Sequence, residues 1–148
     1  KFLSGINLMH GLPGQTEKTH HINMAFLEDI YNKNLQTHRL FYRYMTPAEG
    51  TITINNDRDL QYYNRCKREI MQGFVMPMQK RVYPSGRVLK SFREVIVENG
   101  TSILRTLGTC SIKIMIENQK LEPYGTYDVQ IEDSLEPKLL KGLIVKEK

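Results

Sequence analysis

The sequence predicts an α+β fold, an antiparallel β-sandwich or partial barrel with one or two helices. Three observations predict it. The second half alternates apolar and polar residues between turn signals, and the first half repeats apolar residues every three or four positions. Between them, the alternating run Gly50–Ile54 passes through Asn55-Asn56-Asp57 into a helical pattern that closes at Gly73. A strand that leads directly into a capped helix is therefore expected near the middle of the chain.

Length and composition indicate one globular domain. The 148 residues are 40% hydrophobic and 25% charged, which suits a single domain over 1–148. Numbering begins at Lys1 rather than at a methionine, so this domain can be part of a longer chain. We find neither a run of roughly 18 apolar residues nor the layout of a signal peptide, so a soluble protein is expected. Cys66 and Cys110 are too few for a disulfide framework, which predicts two free, buried thiols in a reducing compartment.

In the first half, residues 1–20 show little regular pattern apart from a turn at Leu12-Pro13-Gly14. Apolar residues then recur at helical spacing from Ile22 to Leu35, and the β-prone run Leu40–Tyr44 follows. The next helix is better marked, because Asn56 or Asp57 can cap its N-terminus. We therefore expect one or two helices, and the extended runs Leu40–Tyr44 and Gly50–Ile54 precede the better-marked helix.

The second half reads as a β-meander. Gln79–Tyr83 and Arg87–Val97 flank the turn residues Pro84-Ser85-Gly86, which predicts a hairpin. Asn99-Gly100 suits a two-residue hairpin turn that leads into Thr101–Leu107. The segment Cys110–Ile116 alternates isoleucines with other residues, and further strands are expected near 126–131 and 139–145. This meander accounts for five or six antiparallel strands.

Charge is divided between two segments of this meander. The segment 74–93 carries five cations and no carboxylate, and the segment 117–136 carries six acids and one lysine. The basic set is Lys80, Arg81, Arg87, Lys90 and Arg93, and the helix after Asp57 adds Arg58, Arg65, Lys67 and Arg68. The acidic set is Glu117, Glu122, Asp128, Glu132, Asp133 and Glu136.

Two kinds of partner explain this distribution. A basic hairpin can bind nucleic acid, because cations that neutralise phosphates release counterions. The same hairpin can instead contact the acidic segment of a neighbouring copy, and a repeated head-to-tail contact of that kind builds a ring or a filament. Both remain open at this level.

Candidate chemical sites are few. His20 and His21 with Glu28 and Asp29 have ligand-type side chains, but adjacent histidines on a helix point in different directions, so surface or capping roles are expected. Tyrosines interleave with arginines in a pattern that single-strand binders share, although half-buried packing is the commoner role for tyrosine. These are Tyr42, Tyr44, Tyr62 and Tyr63 with Arg39, Arg43 and Arg65. No phosphate loop or nucleophile elbow is present, so neither enzyme activity nor a cofactor or metal is expected.

The order of these motifs resembles the tail tube proteins of contractile-tailed phages. The resemblance rests on the early Leu12-Pro13-Gly14 turn and on Thr51–Asp57, which leads into a helix. A hairpin-rich second half that ends in an acidic turn and a final strand extends it over nearly the whole chain. Tube-like baseplate proteins share the pattern.

The resemblance implies a structural protein of the virion tail that is assembled in the host cytoplasm. Its strands would join those of neighbours in a homo-oligomeric ring such as a hexamer, and stacked rings would contact sheath or baseplate proteins. DNA would pass through the channel without specific binding, and no membrane is involved. The alternative is a basic nucleic-acid-binding module, or an adaptor domain within another large assembly.

Overall fold

The fold is known from a computed structural model that describes residues 4–46, 48–50, 57–98, 101–105, 112–117, 119, 121–122 and 125–147. The chain divides into two compact units, unit 1 (Lys1–Met78) and unit 2 (Gln79–Lys148). Composition predicts a single domain over 1–148, and the division into two units does not test that prediction.

Unit 1 begins with a β-α-β arrangement. Strands β1 (Ser4–His10) and β2 (Thr37–Tyr44) pair in parallel, and helix α1 (Glu17–Asn32) connects them. Parallel neighbours require such a crossover, because a short turn cannot return the chain to the same end of the sheet. A capping box between Thr16 and Thr19 begins α1. The predicted helix is confirmed with earlier bounds, whereas the strand β1 lies in the segment where little regular structure was expected.

The second helical segment of the chain is longer than the sequence predicts. Helix α2 (Asp57–Ile70) is confirmed, but a π-helical turn (Met71–Val75) and helix α3 (Met76–Val82) follow it without a break. The expected stop at Gly73 is wrong. A Cβ at Gly73 would lie 3.2 Å from the Met24 methyl carbon, so this glycine allows α1 to approach closely. Of the predicted strand before this helix, residues 51–56 lie outside the described residues.

The predicted strand Gln79–Tyr83 is also wrong, because α3 continues to Val82. Short apolar runs suit either a helix or a strand, and here the preceding helix continues through the run. The predicted turn around Gly86 is present with a φ of +83°, but it joins α3 to a strand and forms no hairpin.

Unit 2 is a closed five-stranded barrel. Its strands are β3 (Val88–Glu98), β4 (Thr101–Arg105), β5 (Lys113–Ile116), β6 (Thr126–Glu136) and β7 (Leu139–Glu147). Their order around the barrel is β3-β4-β5-β7-β6, and β3 pairs with β6 to close it. All neighbours are antiparallel except β5 and β7. A five-stranded barrel whose third and fifth strands are parallel has the topology of an OB-fold.

The barrel core explains the alternation seen in the sequence. Ile112, Ile114 and Ile116 are buried, as their period of two predicts, and they pack with Leu104 and Ile131. Gly142 lies where β7 passes close to β6: a Cβ there would lie 2.6 Å from Val129 Cγ1 and 2.8 Å from the carbonyl oxygen of Gln130. The α+β class is therefore confirmed, with two parallel strand pairs in place of a wholly antiparallel meander.

Candidate nucleic-acid interface

The register of the barrel brings three cationic residues side by side. Arg93 on β3 lies opposite Arg105 on β4, and Arg105 lies opposite Lys113 on β5. Directly opposed residues of antiparallel strands have Cβ atoms roughly 4.5–5.5 Å apart. We call these three positions the cation row. It crosses the first three strands of the barrel, and the second and third strands form the face on which OB-folds bind oligonucleotides.

The side chains of Arg105 and Lys113 are exposed. Their neighbours Leu104 and Ile114 are fully buried, so strand alternation turns the two cations outward. Within the described part of the chain, neither side chain makes a hydrogen bond or an ion pair. Like charges directly opposite each other destabilise a sheet, so the row costs the barrel stability unless an anion lies across it.

A second row lies beside the first on the same face. Ile103, Met115 and Lys141 occupy consecutive strands and are half-buried. Lys141 Nζ lies 2.7 Å from Glu117 Oε2, and this hydrogen bond raises the pKa of the lysine. Because Lys141 already has a carboxylate partner, Arg105 and Lys113 are the cations of β4, β5 and Lys141's row whose described side chains have no carboxylate partner.

Only part of the basic segment predicted from the sequence reaches this face. Lys80 and Arg81 lie on α3, and Lys90 is exposed on β3. The guanidinium of Arg87 donates to the Val82 carbonyl oxygen and lies 5.9 Å from the Tyr83 ring centroid. These cations form no single hairpin, and Arg93 is the one predicted residue that belongs to the cation row.

The six acidic residues share unit 2 with the five cations of the basic segment, and the two sets contact each other. Lys80 Nζ lies 3.8 Å from Asp133 Oδ1, an exposed pair. Asp128 is buried, and one carboxylate oxygen of Glu132 is buried without a hydrogen-bond partner in the described structure. Main-chain atoms of Glu122 and Glu136 bond to the side chains of Tyr127 and Gln79. The six acids therefore do not form one surface patch.

Cations of unit 1 that the sequence singled out are largely engaged there. Arg65 donates to Glu17 at 2.8 Å and lies 4.9 Å from the Tyr62 ring centroid. Lys67 lies 5.6 Å from the Tyr63 ring centroid, and Arg68 is exposed. Arg58 belongs to α2, but its side chain lies outside the described residues.

The tyrosines of unit 1 pack inside it. Tyr42 and Tyr63 are buried and stack with centroids 5.2 Å apart. His10 is also buried: its Nδ1 lies 2.8 Å from the Tyr42 hydroxyl, and its Nε2 lies 3.1 Å from Asp59 Oδ1. The Tyr44 hydroxyl donates to the other oxygen of Asp59 at 2.5 Å, and this bond raises the pKa of Tyr44 to about 12. These contacts support the packing role for Tyr42 and Tyr63, whereas Tyr44 and Tyr62 are half-buried.

His20 is buried, so a surface or capping role is wrong for this residue. Its Nε2 lies 2.7 Å from Glu69 Oε2, and its Nδ1 has no partner within the described structure. A cavity of about 60 Å³ lies beside it, lined in part by the polar side chains of His10, Thr19 and Tyr62. Such a cavity has room for ordered water. Among the described residues, no group of three or more His, Cys, Asp or Glu side chains is placed to hold a metal ion.

Cys66 is a free, fully buried thiol, as predicted, and burial raises its pKa. Cys110 lies outside the described residues. No helix that the structure describes is long and apolar enough to span a bilayer.

The chain is similar to two archaeal proteins, both described as uncharacterized. It is 33% identical over 118 residues to a protein of Archaeoglobus fulgidus, a match that covers 76% of this chain and 22% of that protein. It is 28% identical over 137 residues to a protein of Methanocaldococcus jannaschii, covering 88% of this chain and 25% of that protein. No protein-family model matches the chain. The chain thus spans about a quarter of the length of these curated relatives.

Proposed function

We propose that unit 2 binds the phosphate backbone of a nucleic acid across β3, β4 and β5. The observation that carries the proposal is the cation row, which places Arg93, Arg105 and Lys113 at neighbouring positions of one barrel face. Phosphates spaced along a strand are anions that a row of Lys and Arg side chains can neutralise. A nucleic-acid-binding module is the alternative to a tail-tube protein that the sequence leaves open. We adopt that alternative, but its site is the barrel face and not the expected basic hairpin.

The chemistry of the face favours contacts to phosphates over contacts to bases. Strands β4 and β5 have the sequences Thr-Ser-Ile-Leu-Arg and Lys-Ile-Met-Ile, which contain no aromatic residue. Single-strand binders that stack bases use aromatic side chains for that purpose. Binding by unit 2 is therefore expected to be strongly salt-dependent and to discriminate little between sequences.

Fluorescence anisotropy with labelled oligouridylate, oligothymidylate and a DNA duplex tests the proposal. The double variant Arg105→Gln/Lys113→Gln should bind more weakly at about 50 mM salt, and its logarithmic salt slope on a single strand should fall by about 1.4. The matched control is Lys33→Gln/Lys80→Gln, which removes the same charge from two lysines off this face that already pair with carboxylates. Equal losses in both double variants, or no binding at low salt, would refute the cation row as the site.

The tube-forming assembly that the family resemblance implies stays a prediction. The barrel of unit 2 is closed, so a sheet that continues into neighbouring copies would have to use other strands. Sedimentation in the absence of nucleic acid separates the two proposals: rings or tubes would favour the tail-tube function, and a small particle that enlarges only with added nucleic acid would favour the barrel-face function.

A further inference from the structure

The two-stranded sheet of unit 1 has no role in the proposed function. Strands β1 and β2 run parallel, and among the described residues no third strand pairs with either of them. Parallel strands occur almost only in larger sheets with helices on both faces, and a sheet of two strands is marginally stable at best. Within the described structure, one edge of β1 has no partner strand, and near its end the Gln15 side chain donates to the Met9 carbonyl oxygen.

Strand β1 is less covered than a parallel strand usually is. Met9 is 47% exposed, Asn7 is exposed, and Ile6 and Leu8 are only half-buried. On β2, by contrast, Leu40 is 4% exposed. Of the two strands, β1 is the one that lacks cover.

Helix α1 shows the same lack of cover on one flank. Leu27 and Ile30 are buried within unit 1, whereas Ile22 and Phe26 are 58% and 49% exposed. Residues four apart on a helix are neighbours on its surface, so Ile22 and Phe26 form one apolar patch. A strand edge and an apolar helix flank are the two surfaces that an adjoining strand-helix pair covers in a layered α/β fold.

We infer that β1 and α1 are one step of a larger parallel α/β sheet formed within a single polypeptide. A further strand pairs in parallel with the free edge of β1, and its accompanying helix packs on Ile22 and Phe26. The relatives supply the length that this arrangement requires, since about three quarters of each lies outside the match. Repeated strand-helix connections of the same hand place successive strands parallel.

Hydrogen exchange on the complete natural polypeptide tests the strand edge. A strand that pairs on both sides exchanges its main-chain amides slowly, whereas an open edge exchanges them quickly. We expect slow exchange along β1 that persists when the polypeptide is diluted. Fast exchange along β1 would overturn the inference, and so would protection that disappears on dilution, because the partner would then be a second copy.

A pair of substitutions on α1 tests the helix flank in the same polypeptide. Phe26→Ser removes a large apolar side chain, and serine and phenylalanine have similar helix propensities, so the change reports mainly on packing. The melting temperature of the Phe26→Ser variant should be several degrees below that of the unchanged polypeptide. Glu28→Ser, on the same helix and exposed, is the matched control and should have little effect. Equal melting temperatures for the two variants would show that Phe26 is exposed in the complete protein and would overturn the inference.

Discussion

Units 1 and 2 both bury polar side chains, but they differ in the charged side chains that they leave without a partner on a structured face. In unit 1, His10 and His20 are buried against the carboxylates of Asp59 and Glu69, and Arg65 pairs with Glu17. Unit 2 also buries polar side chains, among them Ser102, Asp128 and Ser134, but Arg105 and Lys113 face outward and make no side-chain hydrogen bond or ion pair in the described structure. Partnered polar groups position their neighbours, whereas unpartnered cations leave charge for a ligand. The comparison teaches that the overall net charge of +5 says less about binding than the placement of two or three cations.

The largest expected effect comes from the apolar core of unit 2. Leu104 is fully buried between the other core residues, so Leu104→Ala should lower the free energy of unfolding by about 2–5 kcal/mol. Leu143 on β7 is 52% exposed, and Leu143→Ala should change it by less than about 0.5 kcal/mol. Urea denaturation of both variants measures the difference. Similar losses would mean that the barrel interior does not carry the stability of unit 2.

The next largest effect concerns the partly buried carboxylate of unit 1. Asp59→Asn weakens the contacts to His10 and Tyr44, and hydrogen bonds to a charged group contribute about 1.5–3 kcal/mol. Asp29→Asn removes the same charge from an exposed pair with Lys33, which is worth about 0.3–0.5 kcal/mol. Urea denaturation near neutral pH should rank the two in this order. The reverse order would contradict the claim that the polar interior positions unit 1.

A smaller effect is expected at alkaline pH. Burial raises the pKa of Tyr62 to about 12 from an ordinary value of 10.0. A tyrosine with a raised pKa contributes stability that is complete below about pH 10 and is lost as the pH rises toward 12. Within the described structure the Tyr62 hydroxyl has no hydrogen-bond partner. Tyr62→Phe should therefore cost little near pH 8 and should reduce the loss between pH 10 and 12, as thermal melts at several pH values would show.

Tyr44→Phe is the control for that pH series. Its hydroxyl donates to Asp59, so this variant should lose stability near pH 8 as well. Equal stability of Tyr62→Phe and Tyr44→Phe near pH 8 would contradict the claim that the Tyr44 hydroxyl, unlike that of Tyr62, stabilises unit 1 through a hydrogen bond.

The smallest effect sharpens the contrast between stability and binding. Arg105→Thr removes a cation that lies opposite both Arg93 and Lys113 and introduces a residue that favours strands. Relief of like-charge repulsion should stabilise the free protein by about 0.2–1 kcal/mol at low salt while nucleic-acid affinity falls. Lys80→Thr, whose lysine pairs with Asp133, should give no such gain. Denaturation measures the stability of both variants, and fluorescence anisotropy measures their affinity for nucleic acid. Destabilisation by Arg105→Thr would indicate that like-charge repulsion does not weaken the cation row.

Local patterns predicted the parts of the fold that local chemistry controls. The alternation of Ile112, Ile114 and Ile116 places one face of a strand in the core whatever its partners are, and helical spacing does the same for α1. Gly73 and Gln79–Tyr83 misled the prediction because their neighbours in space decide their structure. Gly73 accommodates Met24, and the Gln79 side chain bonds to the main chain around the β6–β7 turn.

Sequence alone also determined that this chain is basic and that strands make up most of its second half, although residues 79–82 are helical. The predicted turn at Asn99-Gly100 falls between β3 and β4, outside the described residues. Only the tertiary structure decided which cationic residues lie opposite each other on neighbouring strands. The pairing Glu98↔Thr101 would place Arg93 opposite residue 106 if the register continued unbroken, but an irregularity between Glu94 and Ile96 shifts it to Arg105. A β-bulge adds one residue to one strand and thereby changes every pair beyond it. The cation row depends on that shift and on the pairing of β4 with β5, which no local pattern encodes.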